Sequence, residues 1–347
     1  MKALTVRPGV SGSGALREVG EPAEREGDVL IGALAVGICG TDSEILRGAY
    51  GAAPPGEEFL VLGHESLGQV LEAPVASGLE TGDLVVGIVR QPDPVPCPAC
   101  AVGEWDMCLN GQFTEYGIKG RHGFARERYR IPADHVVKVD PALGRSGVLL
   151  EPTSVVAKAW DHIERIGNRA AWAPRTVLVT GAGPIGLLAA LLAVQRGFEV
   201  HVLDLATTGP KPELVRRLGA TYHSAGLPET GLRPDITVEA TGVPSLVMDL
   251  MGWNARSGIT CLTGVSEGGA GQSVDAGALN RAIVLENDVV FGSVNANRRH
   301  YEAAAAALAR ADPGWLAGLV TREVPLAQFE SALERRADDV KVVLDLS

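Results

Sequence analysis

Residues 175–204 read Arg-Thr-Val-Leu-Val-Thr-Gly-Ala-Gly-Pro-Ile-Gly, then an apolar run, then Gly-Phe-Glu-Val-His-Val-Leu-Asp. Thr176–Thr180 is β-branched and apolar, which suits a buried strand. Gly181, Gly183 and Gly186 follow at the spacing G-x-G-x-x-G. Residues 187–196 hold helix formers and no breaker, and Glu199–Leu203 is a second apolar strand ended by Asp204. Strand, glycine turn, helix and strand compose a dinucleotide-binding βαβ unit. Gly181 permits the tight turn, Gly183 lets the backbone approach a pyrophosphate, and Gly186 lets the helix sit close to the strand. Pro184, Ile185 and Gly186 open the helix, whose free N–H groups and positive end attract phosphate. Asp204 lies 18 residues past Gly186, near the spacing of about 20 for an acid that holds the ribose. G-x-G-x-x-G alone also marks ordinary turns; the flanking strands, helix and acid carry the reading.

Downstream the alternation continues, with strands expected at 235–239, 258–264 and 289–294. That is an α/β pattern, a doubly wound parallel sheet. Ligands bind at the carboxyl ends of such strands. Thr241 and Gly264, at two strand ends, are therefore expected at the cofactor, and Asn295, after the last strand, beside the nicotinamide. Upstream, short strands at Lys2–Val6, 28–37, 61–70, 84–89, 129–132 and 136–139 are separated by Gly and Pro. They suggest a compact β-barrel-like domain. Residues 91–123, rich in Pro, Gly and Cys, read as a protruding lobe. A helix over 153–166 follows, and the domain junction is placed there. An alanine-rich helix over 301–310 and a strand-helix-strand tail close the chain.

At 347 residues, two domains are the default. Aromatics are 5% and glycines number 43, so the core is mainly aliphatic and the turns are many. A net charge of −11 argues against nucleic acid or an anionic membrane as partner, since both demand cationic surface. The N-terminus has no apolar signal core, and no apolar run reaches membrane-span length. An odd count of five cysteines without a secretion signal fits a reducing cytoplasm and favours metal over disulfide.

Cys39, His64 and Glu151 are each expected at a turn after an apolar strand, so that all three point into one cleft. Thiolate, imidazole and carboxylate make a three-ligand zinc site with a fourth position open. Singly they are ordinary: a buried cysteine, a core histidine, a solvated glutamate. Asp42 and Glu65 are expected to support His64, or Glu65 to approach the metal itself. Thr41 or Asp42 is expected to cap the short helix through Leu46, and Thr41, two residues past Cys39, offers a hydroxyl for proton relay. Cys97-x2-Cys100-x7-Cys108 has zinc-ribbon spacing. A fourth ligand is missing: Gly103 stands where a further cysteine would sit, and Asp106 is a candidate substitute. Cys261 reads as a small core residue.

Val36-Gly-Ile-Cys-Gly-Thr-Asp42, Gly63-His-Glu65, Leu149-Leu-Glu-Pro152 and Gly181-Ala-Gly-Pro-Ile-Gly186 together resemble the zinc-dependent medium-chain dehydrogenases. Leu150-Glu-Pro-Thr-Ser-Val-Val-Ala-Lys158, Glu115-Tyr-Gly-Ile118, His122-Gly-Phe124 and Gly292-Ser-Val-Asn-Ala-Asn-Arg-Arg-His300 resemble the glucose (aldose) dehydrogenases among them. The resemblance implies a GroES-like β-barrel catalytic domain over 1–153, completed by 300–347, and a Rossmann domain over 154–299. It implies Cys39, His64 and Glu151 as metal ligands with Glu65 close by, Thr41 as substrate and relay hydroxyl, and Glu115, Glu151 and His300 at the sugar. Glu44 replaces the relay histidine of many alcohol dehydrogenases, and Leu205 follows Asp204 where an arginine would hold a 2′-phosphate. The expected reaction oxidises the C1 hydroxyl of an aldose to a lactone, with NAD preferred and NADP second. The alternatives are a polyol or other secondary-alcohol dehydrogenase, or a non-catalytic dinucleotide-binding protein. A homo-oligomer, dimer or tetramer, is expected.

Overall fold

The strand Val29–Ile38 buries Val29, Ile31, Ala33 and Ala35 and half-exposes the residues between them, the period-two pattern of a strand with one face inward. The pairing with Glu65–Glu72 shifts between Ala33 and Ala35. A bulge of this kind re-aims the side chains beyond it, and Val36 is buried as well. The computed structural model describes every residue except 267, 269, 270, 272 and 335. The chain divides into two units, one made of residues 1–154 and 295–347, the other of 155–294.

In the first unit, the main sheet runs Val136–Lys138, Leu84–Gly87, Glu65–Glu72, Val29–Ile38, Lys341–Asp345, Val320–Pro325, with Arg128–Ile131 also paired to Val29–Ile38. Ala15–Glu18, Lys2–Val6 and Leu60–Val61 form a second sheet, and Arg90–Gln91, Thr114–Tyr116 and Gly120–Arg121 a small third one. Leu4, Ile31, Leu62, Tyr116, Phe124 and Leu344 belong to one apolar cluster, so all three sheets close over a common core. The tail is fastened by a two-pronged ion pair. Arg322 Nε and Nη2 donate to the two oxygens of Asp339 at 3.1 and 2.7 Å. The Arg322 hydrogen bonds hold the Asp339 carboxyl below the usual range. A depressed acid pKa adds stability above the unfolded value, about 3.9, and loses it as pH falls through the folded one. Asp339→Asn is therefore expected to cost about 1–2 kcal/mol near neutrality. Urea unfolding of variant and parent should converge below the ordinary aspartate range; a gap that persists at acid pH would contradict this.

The second unit holds six parallel strands in the order Thr221–His223, Glu199–Leu203, Thr176–Thr180, Ile236–Glu239, Ile259–Leu262, Val289–Gly292. That order reverses between Thr176–Thr180 and Ile236–Glu239, the switch point at which such sheets bind ligands. Every residue from Gly186 to Ala193 of the helix Pro184–Gln195 is buried, as expected of a helix apolar on all sides. No helix among the described residues is long and apolar enough to cross a membrane.

Candidate active site

Cys39 ends the strand Val29–Ile38 and caps the helix Gly40–Leu46. Its Sγ accepts from Thr41 N at 3.3 Å, and Asp42 Oδ2 accepts from Cys39 N at 2.9 Å. This reciprocal cap fixes the sulfur at the mouth of the strand. The Thr41 hydroxyl has no protein partner among the described residues. His64 follows Gly63, whose φ of +87° and contacts (an added Cβ would lie 2.7 Å from Val36 Cγ1) require glycine. His64 Nε2 lies 3.0 Å from Cys39 Sγ, and its Nδ1 faces Asp42 Oδ1 at 3.4 Å. Glu65 sits opposite Gly37 in the ladder; a Cβ on residue 37 would be 2.0 Å from Glu65 Oε2. One donor atom each from Cys39, His64 and Glu65 lies within 4.8 Å of the others.

Glu151 comes from the first turn of the helix Leu150–Gly167, entered through the 3-10 segment Pro141–Leu149, and not from a turn after a strand as the sequence suggested. It stands outside that group of three, yet it is electrically coupled to it. Burial, and then the charge of Glu65, push its pKa up to about 7. Burial works against charge on Asp42 too, but His64 and the Cys39 N–H hold its carboxyl low. Burial also disfavours a charged His64, while Cys39 and Asp42 hold its pKa well above the ordinary value. The cluster is rich in negative groups and short of cations. A sulfur, an imidazole and carboxylates so placed suit zinc.

The compensating cation in the protein is Lys341, which the sequence reading missed. It is 1% exposed, and its Nζ donates to Glu65 Oε2 at 2.5 Å and to Ile38 O at 3.1 Å. Its signal was a lone lysine among Val340, Val342, Val343 and Leu344.

Glu115 is buried in the strand Thr114–Tyr116. Its Oε1 accepts from Arg90 Nε at 3.1 Å and from Asn295 Nδ2 at 2.8 Å. The side chain of Asn295, expected at the cofactor, is thus on Glu115. His300, 2% exposed, takes Asn297 N on its Nδ1 at 3.2 Å and helps cap the helix Arg298–Ala309.

In the lobe, one donor atom each from Cys97, Cys100 and Cys108 lies within 4.8 Å of the others. The backbone N–H groups of Cys100 and Leu109 donate to Cys97 Sγ at 3.5 and 3.3 Å and draw its pKa down to about 6; burial pushes Cys100 up to about 11. Asp106 is not the neighbour expected: its Oδ1 takes Asn297 Nδ2 at 2.7 Å. Asp93 is, with Oδ2 4.0 Å from Cys108 Sγ.

In the second unit, Gly181 has φ +90°, and a Cβ on Gly186 would lie 1.7 Å from Gly181 O, while one on Gly183 would meet nothing within 4 Å. Tight turn, close packing and open backbone are what a pyrophosphate needs. No side chain caps the helix, and Pro184 has no N–H, so its first free donors are Ile185 and Gly186. Asp204 Oδ2 accepts from Ala182 N at 2.7 Å, and Lys211 Nζ lies 3.4 Å away. Thr241 Cγ2 would be 3.0 Å from a Cβ on Gly181, so this residue abuts the turn, its hydroxyl bonded to the buried Glu239. A Cβ on Gly264 would lie 2.2 Å from Gly242 N.

Residues 144–346 match the family described as glucose dehydrogenase C-terminus, and residues 25–141 the alcohol dehydrogenase GroES-like domain. The chain belongs to the glucose dehydrogenases, within the zinc-dependent medium-chain dehydrogenases. Glucose 1-dehydrogenase 2 of Vulcanisaeta moutnovskia is 40% identical over 356 residues, covering 100% of this chain and 99% of its own. Glucose 1-dehydrogenase of Thermoproteus tenax is 41% identical with the same coverage. Haloferax mediterranei glucose dehydrogenase, solved with NADP, Zn and gluconolactone, superposes with a TM-score of 0.91 at 33% identity, covering 100% of this chain and 99% of that one. The fold, a GroES-like domain and a parallel-sheet Rossmann domain, is shared with the Haloferax enzyme.

Proposed function

We propose that the protein is a zinc- and nicotinamide-dependent dehydrogenase that oxidises the C1 hydroxyl of glucose or a close aldose to the lactone. The observation that carries this is the Cys39–His64–Glu65 cluster, its histidine and glutamate buried and its cysteine half-buried, with Glu151 coupled to it, in a chain similar over its whole length to glucose 1-dehydrogenases. The Haloferax relative's zinc, NADP and gluconolactone name the three groups expected here.

Cys39, His64 and Glu151 would hold the catalytic zinc, with Glu65 close by. Bound zinc lowers the pKa of a hydroxyl, and bound nicotinamide accepts hydride. Asp42 orients the His64 ring through Nδ1. The Thr41 hydroxyl, without a protein partner among the described residues, would begin the proton relay, accepting the substrate's proton as it passes its own on to water. Glu115 and His300 orient the sugar. Gly181, Gly183, Pro184, Ile185 and Gly186 seat the pyrophosphate; Asp204, Thr241 and Gly264 complete the dinucleotide site, while Asn295 is engaged with Glu115. A second, structural zinc would sit on Cys97, Cys100 and Cys108, with Asp93 as the nearest candidate for the fourth position.

The test is a panel of aldoses and polyols assayed with both cofactors on zinc-loaded protein. Turnover of glucose or a close aldose is expected. Activity on simple polyols with none on any aldose would transfer the assignment to polyol dehydrogenation. NAD is expected to be preferred over NADP, because the Asp204 carboxylate accepts from ribose hydroxyls and repels a 2′-phosphate. Lys211 beside Asp204 makes this a preference short of exclusion. A kcat/KM about tenfold better with NADP would overturn it.

A further inference from the structure

We propose that Arg90 is a positioning residue that decides which oxygen of Glu115 is offered to the sugar, an inference that rests on the aldose reading above. Arg90 and Glu115 are cross-strand neighbours in the small sheet of the first unit. An arginine fork ordinarily meets a carboxylate with two parallel bonds, one to each oxygen. Here both donors converge on one: Arg90 Nε and Nη2 lie 3.1 and 3.0 Å from Glu115 Oε1. Asn295 Nδ2 adds a third donor to the same atom at 2.8 Å. Oε1 is therefore saturated, while Oε2 has no donor among the described residues.

The guanidinium cannot easily turn to share itself. Its Nη1 is held by Asp106 O at 3.1 Å, and its carbon lies 3.8 Å from the centre of the Phe113 ring. The two side chains are only 10% and 6% exposed. A buried carboxylate pinned through one oxygen presents the other as a fixed acceptor. What completes it is a hydroxyl donor, and a polyhydroxylated substrate carries several. A lysine would not substitute, because its ammonium is a rotatable point charge that leaves the carboxylate free to swing.

The experiment compares the full-length parent, Arg90→Lys, Arg90→Met and Asn295→Ala in steady-state kinetics with glucose and its monodeoxy analogues. In the parent, one deoxyglucose should lose about tenfold or more in kcat/KM, because the acceptor at Oε2 is left unpaired. In both Arg90 variants the glucose KM should rise about tenfold with kcat changed less than about threefold. The penalty for that one deoxyglucose should shrink to under about threefold, the mark of two groups that act together. Asn295→Ala should move in the same direction by less. If Arg90→Met does not fold, Arg90→Lys and Asn295→Ala carry the test. Folded variants that keep the parental KM and the full deoxysugar penalty, with only their melting temperature lowered, would reduce Arg90 to a structural ion pair and overturn the proposal. A parent that turns over no aldose would defeat the aldose reading itself, which separates the two failures.

Discussion

Cys39→Ala is expected to abolish turnover while leaving reduced-cofactor binding intact. The substitution removes the sulfur that lies 3.0 Å from His64 Nε2 and leaves imidazole and carboxylates, a weaker set for zinc. A bound metal is worth several kcal/mol of charge stabilisation at a developing alkoxide, so its loss should cost about a thousandfold or more in kcat. The glycine turn belongs to the other unit and is built from backbone N–H groups and Asp204. Bound zinc, turnover and the fluorescence change on titrating reduced cofactor separate these effects. If the lobe holds the proposed second zinc, Cys108→Ala should behave in the opposite way, losing that zinc and thermal stability with a smaller effect on chemistry. Full activity in metal-free Cys39→Ala protein would show that the metal reading is wrong.

Lys341→Met should be the most destabilising single change at the site. The lysine is the buried cation on Glu65, and it also satisfies Ile38 O, next to Cys39. Removing one partner of a buried pair strands the other, at a cost of about 3–5 kcal/mol. Replacing both charges, as Lys341→Met with Glu65→Gln, should recover much of that, because no uncompensated charge remains. The loss should be largest in chelator-treated protein, where no metal cation supplements the lysine. Urea denaturation of the two variants, with and without chelator, reads the effect. A loss under about 1 kcal/mol in the chelated single variant would refute the claim that Lys341 balances this cluster.

The Gly181–Gly186 turn and the corner at Cys39 were legible in the sequence because their meaning is local, although the cap is Cys39 itself and not Thr41 or Asp42 as expected. Glycine spacing, a following helix and a capping residue all act within a few positions. Glu151 was picked out but given the wrong setting, since nothing local reveals that residues 141–149 coil into the helix that carries it. Asp106 and Asp93 are equally plausible from spacing alone; Asn297, 191 residues from Asp106 in the chain, decides which one is diverted. Arg90, Lys341 and the placement of Asn295 were out of reach for the same reason. Each acts through a partner far away in sequence, and a lone charged residue in a short strand reads as solvated until its neighbours are known.

The strand Lys341–Asp345 lies between Val29–Ile38 and Val320–Pro325 in the sheet, and Lys341 is 276 residues from Glu65 in the chain. During synthesis that separation becomes a delay. At typical elongation rates the ribosome needs roughly 14 to 55 seconds to make the intervening chain. Until the strand Lys341–Asp345 is in place, the sheet that carries Cys39 and Glu65 has an open edge, and Glu65 has no lysine. A nascent chain stalled before residue 341 should carry thiol and imidazole ligands without the strand that braces them. Metal capture by such stalled chains should be weak, and it should strengthen only once the strand Lys341–Asp345 has emerged and paired with Val29–Ile38. Metal capture would then report that the strand Lys341–Asp345 has joined the sheet.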